Sequence, residues 1–471
     1  MESTTVPVPE AAAAPRRVAA TLRRQLGQLG TLSISIGVMA PTLAVSITGV
    51  EPARLLGRAA PVAYIAAALG VALVAYGFVR LAGEVASAGS VYAFVGHALG
   101  PRAGFVAGWA LLGTYLVFPA VSISAIAVFG RAFLSSTGLA ADASWLAVAL
   151  AGWAVIAFVA SRQVKTAASS LLLFELLSVA LILVLMAIIV AKLVAGDAPG
   201  SQTVNLDWLD VPSGTSLSTV ALAATFGFLS FAGFESAGSF GEEADQPTRR
   251  IPPAIIAAVA FGGVFYVSCV AVQTLGFGTD AEGAAAFAAS PAPLAELATA
   301  YVGEGMAEAL ELAAIVSAIG AGLGCASVCG RMLFALARDG HLPAPLARVS
   351  ASTGAPIAGL AFVLVLDAGG LIAFSAAGTA PMQAFFYLAT IGVLSLLCMY
   401  SLANVAAARH LARSGRPREA VVPLAGLAVA LYVLYHHIHP VPPSPFDVFP
   451  YVVAGWLAIG VVLALTRPSP G

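Results

Sequence analysis

The sequence predicts an all-α membrane protein with twelve transmembrane helices, on three observations. Of 471 residues, 60% are hydrophobic and only 10% charged, and the mean hydropathy is +0.95; soluble domains carry about 25% charged residues. A disordered chain would need low hydrophobicity and high net charge instead. Second, a bilayer-crossing helix needs about 20 mostly apolar residues, and such runs start near residues 29, 60, 101, 142, 167, 216, 252, 305, 355, 382, 419 and 447. Third, with the amino terminus in the cytoplasm, eighteen of the 22 Lys and Arg residues fall on that side. Only Arg54, Arg58, Arg131 and Lys192 fall on the other, the bias expected where basic residues stay inside. Both termini are then cytoplasmic, and the plasma (inner) membrane is the expected location of this multi-pass chain.

The elements follow in chain order. Residues 1–27 form a polar tail rich in Ala, Pro and Arg, expected to be disordered and cytoplasmic. The apolar run after it is too long, and lacks a cleavage site, for a signal peptide. Span 1 reads Ser35-Ile36-Gly37-Val38-Met39-Ala40-Pro41-Thr42 at its centre, where proline removes a donor and clashes with the preceding turn. Span 3 carries Pro119, a predicted kink. Span 5 holds Glu175 and Ser178, whose three-residue spacing puts them on one helix face. Glu175 is either a proton carrier or a structural carboxylate bonded to a neighbouring helix. Span 6 reads Phe231-Ala232-Gly233-Phe234-Glu235-Ser236-Ala237-Gly238, a carboxylate in mid-membrane between glycines. An ionisable group at that depth costs roughly 2.5–3.5 kcal/mol on insertion scales and is usually retained for function. Glu235 either caps the second half of span 6 or takes part in substrate or proton binding.

Glu242, Glu243, Asp245, Arg249 and Arg250 then mix signs closely. They are either a solvated loop or a cytoplasmic gate of ion pairs completed by Arg331. Span 8 carries Ser317, and Cys325 with Cys329 one turn further on, a packing pattern. Asp367 in span 9 ranks below the other two carboxylates. The four cysteines lie in apolar stretches and form neither a disulfide framework nor a zinc spacing. His436, His437 and His439 lack a nearby Cys or acidic cluster. No metal, cofactor or nucleic-acid partner is therefore expected. Nucleotide-binding glycine motifs and nucleophile–base pairs are absent, so neither an ATP-driven pump nor a membrane enzyme is supported.

The interruptions of spans 1 and 6 fall at corresponding places if spans 1–5 and 6–10 are two repeats. Paired broken helices are the best pointer in a sequence to a transporter binding site. The alternative is a pair of kinks, which membrane helices tolerate.

Four stretches carry a resemblance to the amino acid–polyamine–organocation (APC) superfamily of permeases, over residues 28–465. The first runs from Ser87-Ala88-Gly89-Ser90 and Tyr92 through Leu99-Gly100-Pro101 to Gly108-Trp109. The most specific spans Phe228 to Pro252, FLSFAGFESAGSFGEEADQPTRRIP. Gly330 to Pro343 (GRMLFALARDGHLP) and Gly354-Ala355-Pro356 complete the set. Departures are Met39-Ala40-Pro41-Thr42 in place of a small-residue Gly-x-Gly turn, and Ser178 where some members place a lysine.

The resemblance implies a LeuT-type fold, a 5+5 inverted repeat plus two extra helices. Residues 28–200 would form the first repeat, 201–408 the second, and 409–471 the appended spans and cytoplasmic end. It also implies alternating-access transport of an amino acid or amine, in contact with the lipid bilayer and coupled to a proton, to sodium or to exchange. The half-helix after the first break would offer amides of Met39, Ala40 and Thr42 to a substrate carboxylate, with Pro41 at its first position and Val38 beside it. The first half of span 6 would offer the carbonyls of Leu229, Ser230 and Ala232 to the ammonium, while Gly233 lets backbones approach. Phe231 and Phe234 would either gate or pack the site. Ser178 and Ser317 stand near where sodium-coupled relatives hold the ion. The alternatives are a same-fold transporter of another small solute, such as an amino alcohol or nucleobase, and a transport-dead ligand sensor.

Overall fold

A computed structural model describes residues 26–85, 90–140, 142–161, 164–350 and 352–466. The tail at 1–25 with its four arginines, Ser87-Ala88-Gly89 of the first motif, and the last five residues lie outside the described residues. The α-helices are α1 Gln28–Met39, α2 Pro41–Ile47, α3 Val50–Leu56, α4 Ala60–Ala82, α5 Val91–Leu99, α6 Pro101–Ser136, α7 Trp145–Ala160, α8 Val164–Ala195, α9 Leu217–Phe231, α10 Pro247–Phe277, α11 Ala281–Ala289, α12 Pro293–Tyr301, α13 Glu304–Arg338, α14 Ile357–Ala376, α15 Pro381–Arg413, α16 Val421–His436 and α17 Phe449–Thr466. Among the described residues there is no β-strand beyond a bridge between Leu26 and Ala244.

Among the described residues ten helical segments are long and apolar enough to cross a bilayer, and the chain is a multi-pass membrane protein. Two further apolar helices, α7 and α16, have 16 residues each. At 1.5 Å per residue they reach roughly 24 Å, short of a hydrocarbon core of about 30 Å. They coincide with the expected spans 4 and 11. The largest shift in a helix start is at α10, which begins at Pro247 after a left-handed Gln246 (φ 46°). Pro252, where that span was expected to open, sits inside the helix, as does Pro253.

The sequence pattern did not announce the short helices α3, α5, α11 and α12, each of seven to nine residues. They are too short to cross and have local causes. In α11, for example, the Gly283 amide donates to the Asp280 side chain at 2.7 Å, capping the first turn.

Helix α6 runs through the middle, packed on α13 and α15. Small residues allow the close approach expected of membrane helices: a Cβ on Gly227 would lie 2.5 Å from the Ala67 Cβ. Helix α17 is pinned to α6 by reciprocal bonds, Trp109 Nε1–H to the Trp456 carbonyl at 2.8 Å and Trp456 Nε1–H to the Trp109 carbonyl at 2.9 Å. Leu176, Leu177, Val184, Val365, Ile459 and Val462 face outward, an apolar surface suited to lipid.

Candidate functional site between two broken helices

The first break is one residue wide. Helix α1 ends at Met39, Ala40 is left-handed (φ 45°, ψ 64°), and α2 begins at Pro41. Proline costs nothing there, because the first amides of a helix lack intrahelical acceptors. The Ala40 N–H still donates to the Ile36 carbonyl at 3.0 Å. The next amides are taken by side chains from other helices. Thr42 N–H donates to Glu175 Oε1 at 2.9 Å, and Leu43 N–H to Ser317 Oγ at 3.2 Å. Of the amides expected to meet a substrate carboxylate, that of Met39 lies within the last turn of α1, and those of Ala40 and Thr42 are engaged within the protein. Glu175 places its own carboxylate at the positive end of α2, an arrangement that helix polarity favours. Ser178, one turn along α8, is also buried.

The second break is wider. Helix α9 stops at Phe231, Gly233 takes φ 110°, and Ser236–Phe240 form a tight 3-10 turn in place of an α-helical second half. A Cβ on Gly233 would lie 2.5 Å from Val38 Cγ1 and 3.0 Å from the Met39 nitrogen. Only glycine lets the two breaks touch here. Ser35 Oγ–H donates to the Phe234 carbonyl at 2.9 Å and ties them together. Of the three carbonyls expected to meet an ammonium, that of Leu229 already accepts Ala232 N–H at 3.1 Å, whereas no donor among the described residues meets those of Ser230 and Ala232.

Glu235 is 1% exposed and makes no cap bond to the turn that follows it. Its carboxylate instead accepts Tyr115 O–H at 2.8 Å, Tyr400 O–H at 3.1 Å and Gly233 N–H at 3.3 Å. A buried carboxylate must be compensated in this way. The short turn explains why the capping alternative is not what the chain adopts: no α-helix begins there.

A cavity of about 50 Å³ lies between the breaks. Val38, Met39 and Ala40 line it from span 1, and Leu229, Ser230 and Ala232 from span 6. Pro41, Thr42, Gly233 and Glu235 stand behind its wall. Phe231 packs edge-on against Tyr266, ring centres 5.1 Å apart. Phe234 packs against Phe78 and Tyr400 at 5.6 and 5.5 Å. Both rings pack, and neither faces the cavity. The facing wall comes from Phe118, Val121 and Ser122 of α6, Cys325 and Ala321 of α13, and Phe385 of α15, none of which sequence reasoning assigned to the site. Pro119, between two of them, was the only signal in that wall. Among the described residues no charged side chain lines the cavity. At roughly 10–15 Å³ of accessible volume per water, it has room for about three to five waters, so its walls must part to admit an amino acid.

The chain is closed where α1 begins. Arg331 Nε–H and Nη2–H donate to Glu243 Oε2 and Oε1 at 2.5 and 2.9 Å, with the two side chains 2% and 7% exposed. A buried pair is tolerated when it is bidentate and fully bonded. The guanidinium lies 3.9 Å from the centre of the Phe240 ring. Leu26 N–H donates to the Glu243 carbonyl at 3.0 Å and Asp245 N–H to the Leu26 carbonyl at 2.9 Å, so the backbone before α1 clasps the same turn. Glu242 pairs with Arg338 at 2.9 Å and Arg250 with Asp245 at 2.7 Å. Arg249 is exposed and has no ion pair among the described residues. Arg338 was not singled out in the sequence because it ends a helix among ordinary basic residues.

The amino acid permease family matches residues 30–435. An uncharacterized transporter of Mycobacterium tuberculosis is 30% identical over 423 residues, covering 88% of this chain and 86% of its own. A branched-chain amino acid permease of Bacillus subtilis is 27% identical over 406 residues, covering 82% and 81%. A low-affinity putrescine importer of Escherichia coli is 23% identical over 325 residues, covering 68% of each.

Proposed function

This chain belongs to the amino acid permease family, and on that premise we propose that it carries a neutral amino acid with a small apolar side chain across the plasma membrane by alternating access. The scaffold we infer counts the short apolar helices α7 and α16 as spans 4 and 11 beside the ten longer segments, giving twelve spans with residues 28–200 and 201–408 as inverted repeats, the last two spans at 409–471, and both termini in the cytoplasm. The observation that carries the reading is the cavity between the breaks, with backbone polar groups on one side and an uncharged wall on the other.

The open carbonyls of Ser230 and Ala232 take the substrate ammonium at the negative end of α9. Its carboxylate goes to the first turn of α2. Two carboxylates cannot share one amide, so Glu175 gives up Thr42 as substrate binds, and a proton on Glu175 makes that exchange neutral. Ser317 holds the adjacent amide while this happens. Tyr115 and Tyr400 keep Glu235 in place behind the wall, bracing the span 6 break. The Glu243–Arg331 pair is the cytoplasmic gate. A second ammonium, as in a diamine, would enter an apolar wall with no counter-charge, which is costly. The side chain accepted is therefore uncharged.

Uptake of labelled valine into proteoliposomes tests this. Alanine, valine and leucine should compete, arginine and putrescine should not, and an inward proton gradient should drive accumulation. Competition by putrescine as strong as by valine contradicts the assignment.

A further inference from the structure

We propose that the chain holds one anionic phospholipid, its phosphodiester headgroup seated in a pocket between the ends of α4, α10 and α15. The pocket has a volume of about 290 Å³. It lies at the end of the molecule that carries the Glu243–Arg331 pair, where α4 and α15 stop at Ala82 and Arg413, the depth at which a crossing helix meets the headgroups. Arg80, Arg416 and His410 line it, with Glu84, Ser414 and Pro252. Its cations outnumber their partners. Arg80 and Arg416 share one carboxylate, that of Glu419. Arg80 also donates from Nε–H and Nη2–H to the Tyr76 hydroxyl at 3.2 and 3.1 Å, and Arg416 Nε–H donates to Glu419 at 2.8 Å. Among the described residues neither Nη1 group has an acceptor. A phosphodiester between the two guanidinium groups takes these remaining donors, a pairing that suits the planar fork of arginine. Glu84, 3.8 Å from His410 Nε2, narrows the ligand further. A phosphomonoester would set a second negative charge against it, whereas the hydroxyls of a glycerol headgroup donate to it.

An apolar groove leads to the pocket along α4. Leu69, Ala72, Tyr76 and Arg80 follow one another at three and four residues and so share one helix face. Leu69 and Ala72 are exposed, and Tyr76 and Arg80 bring that face to the polar pocket. On either side of Leu69 the helix is covered. A Cβ on Gly70 would lie 2.9 Å from Val429 of α16, and one on Gly263 of α10 would lie 3.7 Å from Ala68. Exposed Ile256 of α10 and Leu424 of α16 flank the groove. A cationic pocket between crossing helices is a recurrent seat for a lipid phosphate. Here an acyl-chain groove runs into it, and a free phosphate ion would leave that groove unused.

Binding of radiolabelled dioleoylphosphatidylglycerol to the purified full-length chain in mixed micelles tests the proposal. The chain should retain one such lipid, and excess dioleoylphosphatidylcholine or inorganic phosphate should not displace it. Arg80→Gln with Arg416→Gln should weaken binding about tenfold, the size of a lost charge-assisted hydrogen bond. Arg416→Gln alone, on an exposed turn, should act in the same direction if the double variant fails to fold. Arg409 and Arg413 are exposed nearby but do not line the pocket. Replacing both with Gln removes the same charge and should change affinity less than about twofold, because exposed charges are screened. Equal losses from the two pairs would mean diffuse attraction to a basic surface and would overturn the site. So would phosphatidylcholine that binds as tightly, displacement of the lipid by inorganic phosphate, or a wild type that retains no lipid.

Discussion

The two helix breaks differ in where their compensation comes from. At the first, the chain turns on one left-handed residue, and the exposed amides of α2 are met by Glu175 from α8 and Ser317 from α13. At the second, a carboxylate from the break itself, Glu235, is held by tyrosines of α6 and α15, while two carbonyls stay open. The first break is thus sealed by side chains of two other helices, the second braced by a carboxylate of its own. In the proposed cycle the first end exchanges partners and the second stays fixed.

Changes at the braced break should have the largest effects. Gly233→Val puts a side chain into Val38 at a positive φ, where β-branched residues are strongly disfavoured; uptake should fall more than about 100-fold, and a thermal-shift scan should show a less stable protein. Glu235→Gln keeps the shape but weakens the charge-assisted bonds to both tyrosines. Initial uptake should fall at least about tenfold with expression retained, and unchanged uptake would remove Glu235 from the bracing role. At the exchangeable break, Glu175→Gln should abolish accumulation driven by a proton gradient yet leave valine exchange running. Retained pH-driven accumulation would make the two breaks alike. Ala40→Gly should matter least of the four: a left-handed alanine costs roughly 1–2 kcal/mol, offset by the entropy glycine adds to the unfolded chain, so melting should shift little and uptake should persist.

A site away from both breaks gives the smallest effect. Glu419 accepts the Tyr76 hydroxyl at 2.7 Å and pairs with Arg416 and Arg80. Those partners, the Tyr76 bond first, hold its carboxyl below the ordinary value. Its contribution is present above the unfolded-state pKa and is lost as pH falls through the lowered one. Glu419→Gln should therefore flatten the acid limb of a melting-temperature profile slightly and leave uptake untouched.

Much of the frame could be read in advance because its signals are local. Apolar runs near 20 residues set the crossing helices, and Pro41 and Gly233 marked where two of them break. The bond between Glu175 and Thr42 could not be read, since it joins positions 133 residues apart. The cavity wall at Phe118, Val121 and Phe385 was equally silent, because an apolar residue facing a cavity and one facing lipid look the same in a membrane helix. The sequence did single out Arg331 and Glu243 as possible gate partners, whereas Arg338 and the Leu26 clasp emerged only from the packing. The short turn after Glu235 replaced an expected half-helix because Ser236-Ala237-Gly238 and Gly241 favour a tight turn over a continued span.

The most direct test uses the cavity's own thiol. Cys325 lines the wall between the breaks, and in a variant carrying Cys269→Ala, Cys329→Ala and Cys398→Ala it is the sole cysteine. Its rate of modification by a small methanethiosulfonate reagent in proteoliposomes should fall severalfold in saturating valine and stay constant in saturating putrescine. A rate indifferent to valine, in a protein that still transports it, would place the substrate somewhere other than between the two breaks.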